Sequence, residues 1–150
     1  MSWIHYTSVY GAKHRRELET LLFQNPRQHI VRAAIVEGIE KYGVPKIVIE
    51  HDRLRVKLAS DLEVQTLFAV ASSLFQSRLA GVLIYTRLDP ETMLLLHLAV
   101  SADYSSHGRH RQQMLALRFV EQLRGIAAQI KGVRCVRVML GQGRVRDIAV

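Results

Sequence analysis

The sequence predicts an α/β domain: a mixed, mostly antiparallel central sheet flanked by helices, with a helical pair near the N-terminus. Three observations predict it. Two apolar β-type runs, Gly81 to Leu88 and Met93 to Val100, flank a tight-turn sequence; a long amphipathic pattern follows; and a further β-type run, Val133 to Leu140, closes the unit. With 150 residues, 49% hydrophobic and 23% charged, the chain suits one domain with one core. Residues 1–43 read as a helical extension and 44–150 as the sheet with its flanking helices.

Residues up to Tyr10 show no period and read as an arm or short edge strand, ended by Gly11. From Ala12 to Gln24, Leu18, Leu21 and Leu22 recur beside a charged run, the pattern of a short amphipathic helix, which Asn25-Pro26 breaks. Pro26 suits the first turn of a second helix, where its missing N–H would have had no partner. Ile30, Val31, Ala34, Ile35 and Ile39 then follow at helical spacing as far as Gly43. Lys46 to Glu50 and Arg53 to Leu58 are β-rich runs joined across His51-Asp52, which predicts a hairpin. Ser60 and Glu63 have capping-box spacing, and Leu62, Leu67, Phe68, Ala71, Leu74 and Phe75 supply an apolar stripe. A third helix is therefore expected from Ser60 to about Ser77.

The run Gly81 to Leu88 reverses at Asp89-Pro90-Glu91-Thr92, where proline presets φ, into Met93 to Val100. This second strand lacks polar alternation, so both its faces should be covered and it should lie centrally, with His97 as its one interruption. After Ser101 to His107 a long helix is expected to about Lys131, with Ala116, Phe119, Val120, Leu123, Ala127 and Ile130 on one face. Gly132 stops it. Val133 to Leu140 should return parallel to the preceding strand, and Val145 to Val150 reads as an edge strand.

Cys135 is the only cysteine, so no internal disulfide forms and no cysteine-based zinc site assembles within one chain. The start, Met1 to Tyr6, lacks a basic segment followed by an apolar one, and no apolar run reaches membrane-spanning length. This predicts a cytoplasmic protein with no membrane partner. The formal net charge of +8 is uneven: after His107, nine Lys or Arg residues face only Glu121 and Asp147. Such a patch favours an anionic partner, be it a phosphate-bearing cofactor, a nucleic acid or an acidic protein face.

The segment richest in chemistry runs from Leu98 through Asp103-Tyr104 and His107-Gly108 to Arg111, out of a central strand and into the long helix. Helix N-termini present unpaired N–H groups and partial positive charge, which together hold phosphates. Gly108 lets backbone approach a ligand closely. Arg109, His110 and Arg111 bring cations to a helix start, where they are unfavourable by ~0.3–1 kcal/mol each unless an anion is present.

This segment resembles the second half of the GNAT superfamily of N-acetyltransferases, in which a strand, an acidic-aromatic pair and a Q/R-x-x-G-x-G/A loop lead into a helix. Val100 ends the strand, Asp103-Tyr104 is the pair, and Ser105-x-x-Gly108-x-His110 occupies the loop. The resemblance implies acetyl-CoA, or another acyl-CoA, between the strand ending at Val100 and the strand starting at Val133. Backbone near Leu98 and Val100 would meet the pantetheine arm. Amides of His107, Gly108, Arg109, His110 and Arg111 would meet the pyrophosphate, and an amine would accept the acyl group. Ser105 stands where the family has Gln or Arg, His110 where it has a small residue, and ten residues follow Leu140 where the family usually adds a helix and two strands. A non-catalytic relative, acting as a scaffold or as a homodimer whose partner covers the shortened edge, is therefore the alternative expectation.

His97 is the candidate general base, since an imidazole near the end of a central strand can take a proton from an ammonium acceptor. His97, His107 and His110 lack the accompanying motif of a metal site, so no metal is expected. Cys135 reads as a small buried hydrophobe, and Tyr104 as a packing residue of the loop. Nucleic-acid binding rests on charge alone, because Phe119, the one aromatic in the basic third, lies on the apolar helix face.

Overall fold

The computed structural model describes residues 3–23, 32–104 and 114–150, with backbone only for 32–36. The chain begins with strand β1 (Trp3–Thr7), a short 3-10 turn (Ala12–His14) and helices α1 (Arg15–Phe23) and α2 (Arg32–Tyr42). Strands β2 (Pro45–Glu50), β3 (Arg53–Leu58), β4 (Gln65–Ser72), β5 (Ser77–Asp89) and β6 (Thr92–Val100) follow. A 3-10 turn (Ala102–Tyr104), helix α3 (Leu115–Ala128) and strands β7 (Cys135–Gly141) and β8 (Arg144–Ala149) complete it. Six strands form one sheet in the order β1-β4-β5-β6-β7-β8, and β2 and β3 pair separately. Every neighbouring pair in the large sheet is antiparallel except β6 and β7.

Because the sheet is covered on both sides, period-two alternation divides its residues between two cores. On one side Phe68, Val70, Val82 and Ile84 meet Leu18, Leu21 and Leu22 of α1 and Ile47, Leu54 and Val56 of the small hairpin. On the other, Leu67, Ala69, Leu83, Met93 and Leu95 meet Leu115, Phe119, Leu123 and Ala127 of α3. Phe68 and Phe119 are both fully buried, each worth about 1.5–3 kcal/mol of apolar transfer.

The expected β2–β3 hairpin is present, with Pro45 opposite Leu58 and Glu50 opposite Arg53. His51 and Asp52, at φ 52° and 63°, supply the left-handed turn whose twist matches a hairpin. The β5–β6 reversal also falls where expected: Asp89 Oδ1 accepts the Glu91 N–H at 2.9 Å. Arg87 binds the carbonyls of Pro90 (2.7 Å) and Lys131 (3.1 Å), which ties this turn to the end of α3. The residues before Tyr10 form an edge strand that pairs with β4, Trp3 opposite Ser72 and Thr7 opposite Phe68.

The helix expected from Ser60 to Ser77 is instead β4 and the turn after it. Ser60 does not cap a helix: its hydroxyl donates to the Tyr42 carbonyl at 2.6 Å and so fastens the end of α2. From Leu67 to Ser72 every residue is buried, because both faces of β4 are covered. A continuous apolar run of that kind shows neither helical nor strand periodicity. Leu74 and Phe75, expected in the helix's core stripe, stand at the exposed tip of the β4–β5 hairpin. Among the described residues no helix is long and apolar enough to cross a membrane.

Candidate functional site

The parallel pair defines the site. β6 and β7 pair from Thr92 opposite Cys135 to Leu95 opposite Val138, and there the ladder stops. β6 continues to Val100 and β7 to Gly141, so Leu96–Val100 and Met139–Gly141 border an opening in the sheet. The opening begins at a bulge: Tyr85 pairs with Leu95 but Ile84 pairs with His97, leaving Leu96 as the extra residue.

A one-residue insertion shifts the phase of alternation. Met93 and Leu95 face α3, whereas Leu96 and His97 both line the opposite side of the sheet, and Leu98 and Val100 return to the α3 side. The bulge thus turns His97 away from the α3 core and into a cavity of about 180 Å³. The floor of this cavity is Ile84, Leu96 and His97 of the sheet. Its walls come from Leu22 and Phe23 at the end of α1, from Ile39 and Tyr42 of α2, and from Pro45 and Leu58 of the hairpin. Phe23, Ile39 and Val44 are exposed and mark its mouth.

The Nε2 atom of His97 is buried without a hydrogen-bond partner among the described residues. Burial pushes the imidazole pKa below its ordinary 6.5, because the charged form loses hydration. At neutral pH the ring is therefore uncharged, the state in which it can accept a proton.

α2 crosses the start of the opening. A β-carbon at Gly38 would lie 3.5 Å from Met139 Cε and 3.9 Å from the Leu96 carbonyl oxygen, touching both diverging strands. Glu37 fastens the helix there: one carboxylate oxygen accepts the Gly143 N–H at 3.1 Å, in the β7–β8 turn, and the other pairs with Lys41 at 3.1 Å. The Lys41 bond, then the Gly143 amide, hold the Glu37 carboxyl below its usual range.

Of the residues expected to act, His97, Leu98 and Val100 lie together on β6 where it leaves β7. The side chains of Leu98 and Val100 pack on the α3 side, so only their backbone borders the opening. His107, Gly108, Arg109, His110 and Arg111 lie outside the described residues, as does Ser105. α3 occupies Leu115–Ala128 of the expected helix, and Met114, at φ 48°, stands at its N-cap without a side-chain cap. Tyr104 is buried against the α3 core, as expected of a packing residue. Cys135, expected buried, is partly exposed because it opens β7 at the sheet's rim. Among the described residues no cluster of His, Cys, Asp and Glu is placed to hold a metal.

Part of the basic C-terminal third is engaged internally. Arg137 makes a two-pronged contact with Asp147 (2.8 and 3.1 Å), and Arg124 binds Glu121 (2.9 Å) and the Ala149 carbonyl (3.1 Å). Sequence reasoning missed the contribution of α1 and α2 to the site, since their cavity-lining residues are ordinary helix apolars. Its one visible signal was His97, a lone polar residue in an apolar strand.

Fold and site together define a mixed α/β domain whose one parallel strand pair among the described residues opens at a bulge beside a histidine-floored cavity. No family model, curated protein or solved structure matches the chain.

Proposed function

We propose that the chain is a GNAT-like acyl-CoA-binding protein that transfers an acyl group to an amine. The observation that carries this reading is the divergence of the parallel pair after Leu95 and Val138, beside the Leu96 bulge. An extended ligand arm needs backbone hydrogen-bonding groups without a strand neighbour, and among the described residues no strand pairs with the β7-facing edge of β6 from Leu96 to Ala99. This donor and acceptor set fits a pantetheine arm, whose amides would continue the sheet. The diphosphate would fall to residues 107–111.

Acyl-CoA supplies a reactive thioester carbon. The chain's part is to hold and polarise the carbonyl with backbone N–H groups of the bulged strand, and to take a proton at His97. With acyl-CoA bound, its thioester would supply the carbon that the amine nitrogen attacks and the thiolate that leaves, and His97 would be the chain's group to take the amine's proton.

Thermal unfolding with acetyl-CoA tests the reading. Binding to the native state raises the melting temperature, and the absence of a shift at millimolar acetyl-CoA overturns it. Turnover with a panel of amines then separates an enzyme from a non-catalytic relative, which would bind acetyl-CoA without consuming it.

A further inference from the structure

We infer that the acyl group bound here is a medium-length alkyl chain of about six to eight carbons, with its tail in the cavity between α1, α2 and the bulged strand β6. The inference rests on the acyl-CoA reading above and goes further by naming the acyl class.

Position comes first. Leu96, the extra residue of the bulge, lines the cavity and also stands at the start of the opening between β6 and β7. Gly38 of α2 lines the cavity too, and a β-carbon there would stand 3.9 Å from the Leu96 carbonyl oxygen and 3.5 Å from Met139 Cε on β7. Cavity and opening therefore meet at Gly38. An arm laid along β6 past Leu95 sets its thioester beside this junction, and the cavity is the apolar space next to the acyl carbon.

Packing does not demand glycine at position 38. An added carbon would make only ordinary van der Waals contacts at those distances, and glycine weakens a helix interior relative to alanine. What the missing side chain does is keep the junction open.

Size and lining then select the tail. An apolar cavity of about 150 Å³ takes one six-carbon ring, and this one measures about 180 Å³. Leu22, Phe23, Ile39, Leu58, Ile84 and Leu96 supply most of its wall, and among the described residues no Lys, Arg, Asp or Glu lines it. Such walls favour alkyl groups over water, whereas a succinyl or malonyl tail would bring a carboxylate with no cation to meet it. An acetyl group is too short to fill the space. Each further methylene buried tightens binding by about fourfold, until the chain reaches the mouth at Phe23, Ile39 and Val44 and emerges into water.

The test is calorimetric titration of the full chain with acetyl-, hexanoyl-, octanoyl- and dodecanoyl-CoA, kept below micelle-forming concentrations. Hexanoyl-CoA should bind at least about tenfold more tightly than acetyl-CoA, and dodecanoyl-CoA no more tightly than octanoyl-CoA. Gly38→Leu, which narrows the junction, should bring the hexanoyl-to-acetyl ratio close to one, with folding checked by circular dichroism. Where that variant does not fold, Ile39→Trp at the exposed mouth carries the same test with octanoyl-CoA. Equal affinity for acetyl- and hexanoyl-CoA, a rise that continues through dodecanoyl-CoA, or a preference that survives in the folded variant overturns the inference. If acetyl-CoA binds and hexanoyl-CoA binds no better, the inference fails alone; if none of the four binds, the acyl-CoA reading fails and takes the inference with it.

Discussion

Phe119 of α3 lies directly on the backbone of Gly81: a β-carbon at position 81 would stand 2.6 Å from Phe119 Cε2 and 3.0 Å from the Ala99 carbonyl oxygen. Gly81 sits in the middle of the sheet, paired with Ala69 on one side and Val100 on the other. A further bulge of the sheet is here, since Val70 pairs with Leu79 and Ala69 with Gly81, which leaves Ala80 extra. Phe119 is fully buried and meets Tyr6 edge-on at 5.5 Å, so it has little room to withdraw.

Gly81→Ala should therefore destabilise the fold by about 1–3 kcal/mol, the usual range for overpacking, even though alanine is the better strand residue on backbone entropy. Gly125→Ala supplies the opposite case: the position is helical and nothing lies within 4 Å of the added carbon. It should stabilise by up to about 1 kcal/mol. Urea unfolding of both variants checks the pair, and equal effects would contradict the packing described.

The buried imidazole gives stability a pH dependence of known sign. The folded-state pKa of His97 lies below 6.5, so between the folded and unfolded values the unfolded chain binds more protons. The stability associated with the neutral ring is full above pH 6.5 and declines as pH falls through the folded value. His97→Leu removes this titration and should flatten the stability profile across that window. Glu37, Glu50, Asp89 and Asp147 add a separate acid limb, because their depressed carboxyl pKa values lie below the ordinary 4.5 and 3.8. The two limbs separate in denaturant titrations run at stepped pH; a profile unchanged by His97→Leu between neutrality and pH 5 would show the ring to be hydrated.

Glu37 holds α2 to the β7–β8 turn through the Gly143 amide. Glu37→Ala should release that N–H to solvent, so its hydrogen exchange should accelerate. The Val150 amide, which donates to the Arg134 carbonyl at 3.0 Å beside the far end of the β7–β8 pair, should keep its protection. If Gly143 exchanges at the same rate in both proteins, the bond does not persist in solution.

These dependences show which parts of the fold are written locally. β5, β6 and β7 were legible because each is an apolar β-type run bounded by turn residues, and the parallel return of β7 follows from a strand, a helix and a strand in sequence. The bulges at Ala80 and Leu96 were not legible, since an extra residue is defined only against the register of the neighbouring strand. His97 could be singled out but not aimed, because its side depends on the Leu96 bulge. The cavity was hidden for a related reason: its walls are gathered from α1, α2, the hairpin and the sheet, and no local pattern marks residues so far apart as neighbours.

The β4–β5 turn is the sharpest test of the segment that sequence reasoning misread. Ser73 organises it, its hydroxyl oxygen accepting the N–H groups of Phe75 and Gln76 at 3.4 and 3.3 Å, while the Ser73 N–H donates to the Gln76 carbonyl at 2.8 Å. None of these bonds uses the side chains of Leu74 and Phe75, which are 86% and 94% exposed. Replacing both by serine should change unfolding free energy by no more than about 0.5 kcal/mol, as for surface positions in general. Phe68→Ala, a few residues earlier in β4 and fully buried, should cost about 3–5 kcal/mol. A core-facing helix through the same residues would make Leu74 and Phe75 as costly as Phe68. Chemical unfolding of the two variants therefore decides between a strand with a solvent-facing tip and a buried helix.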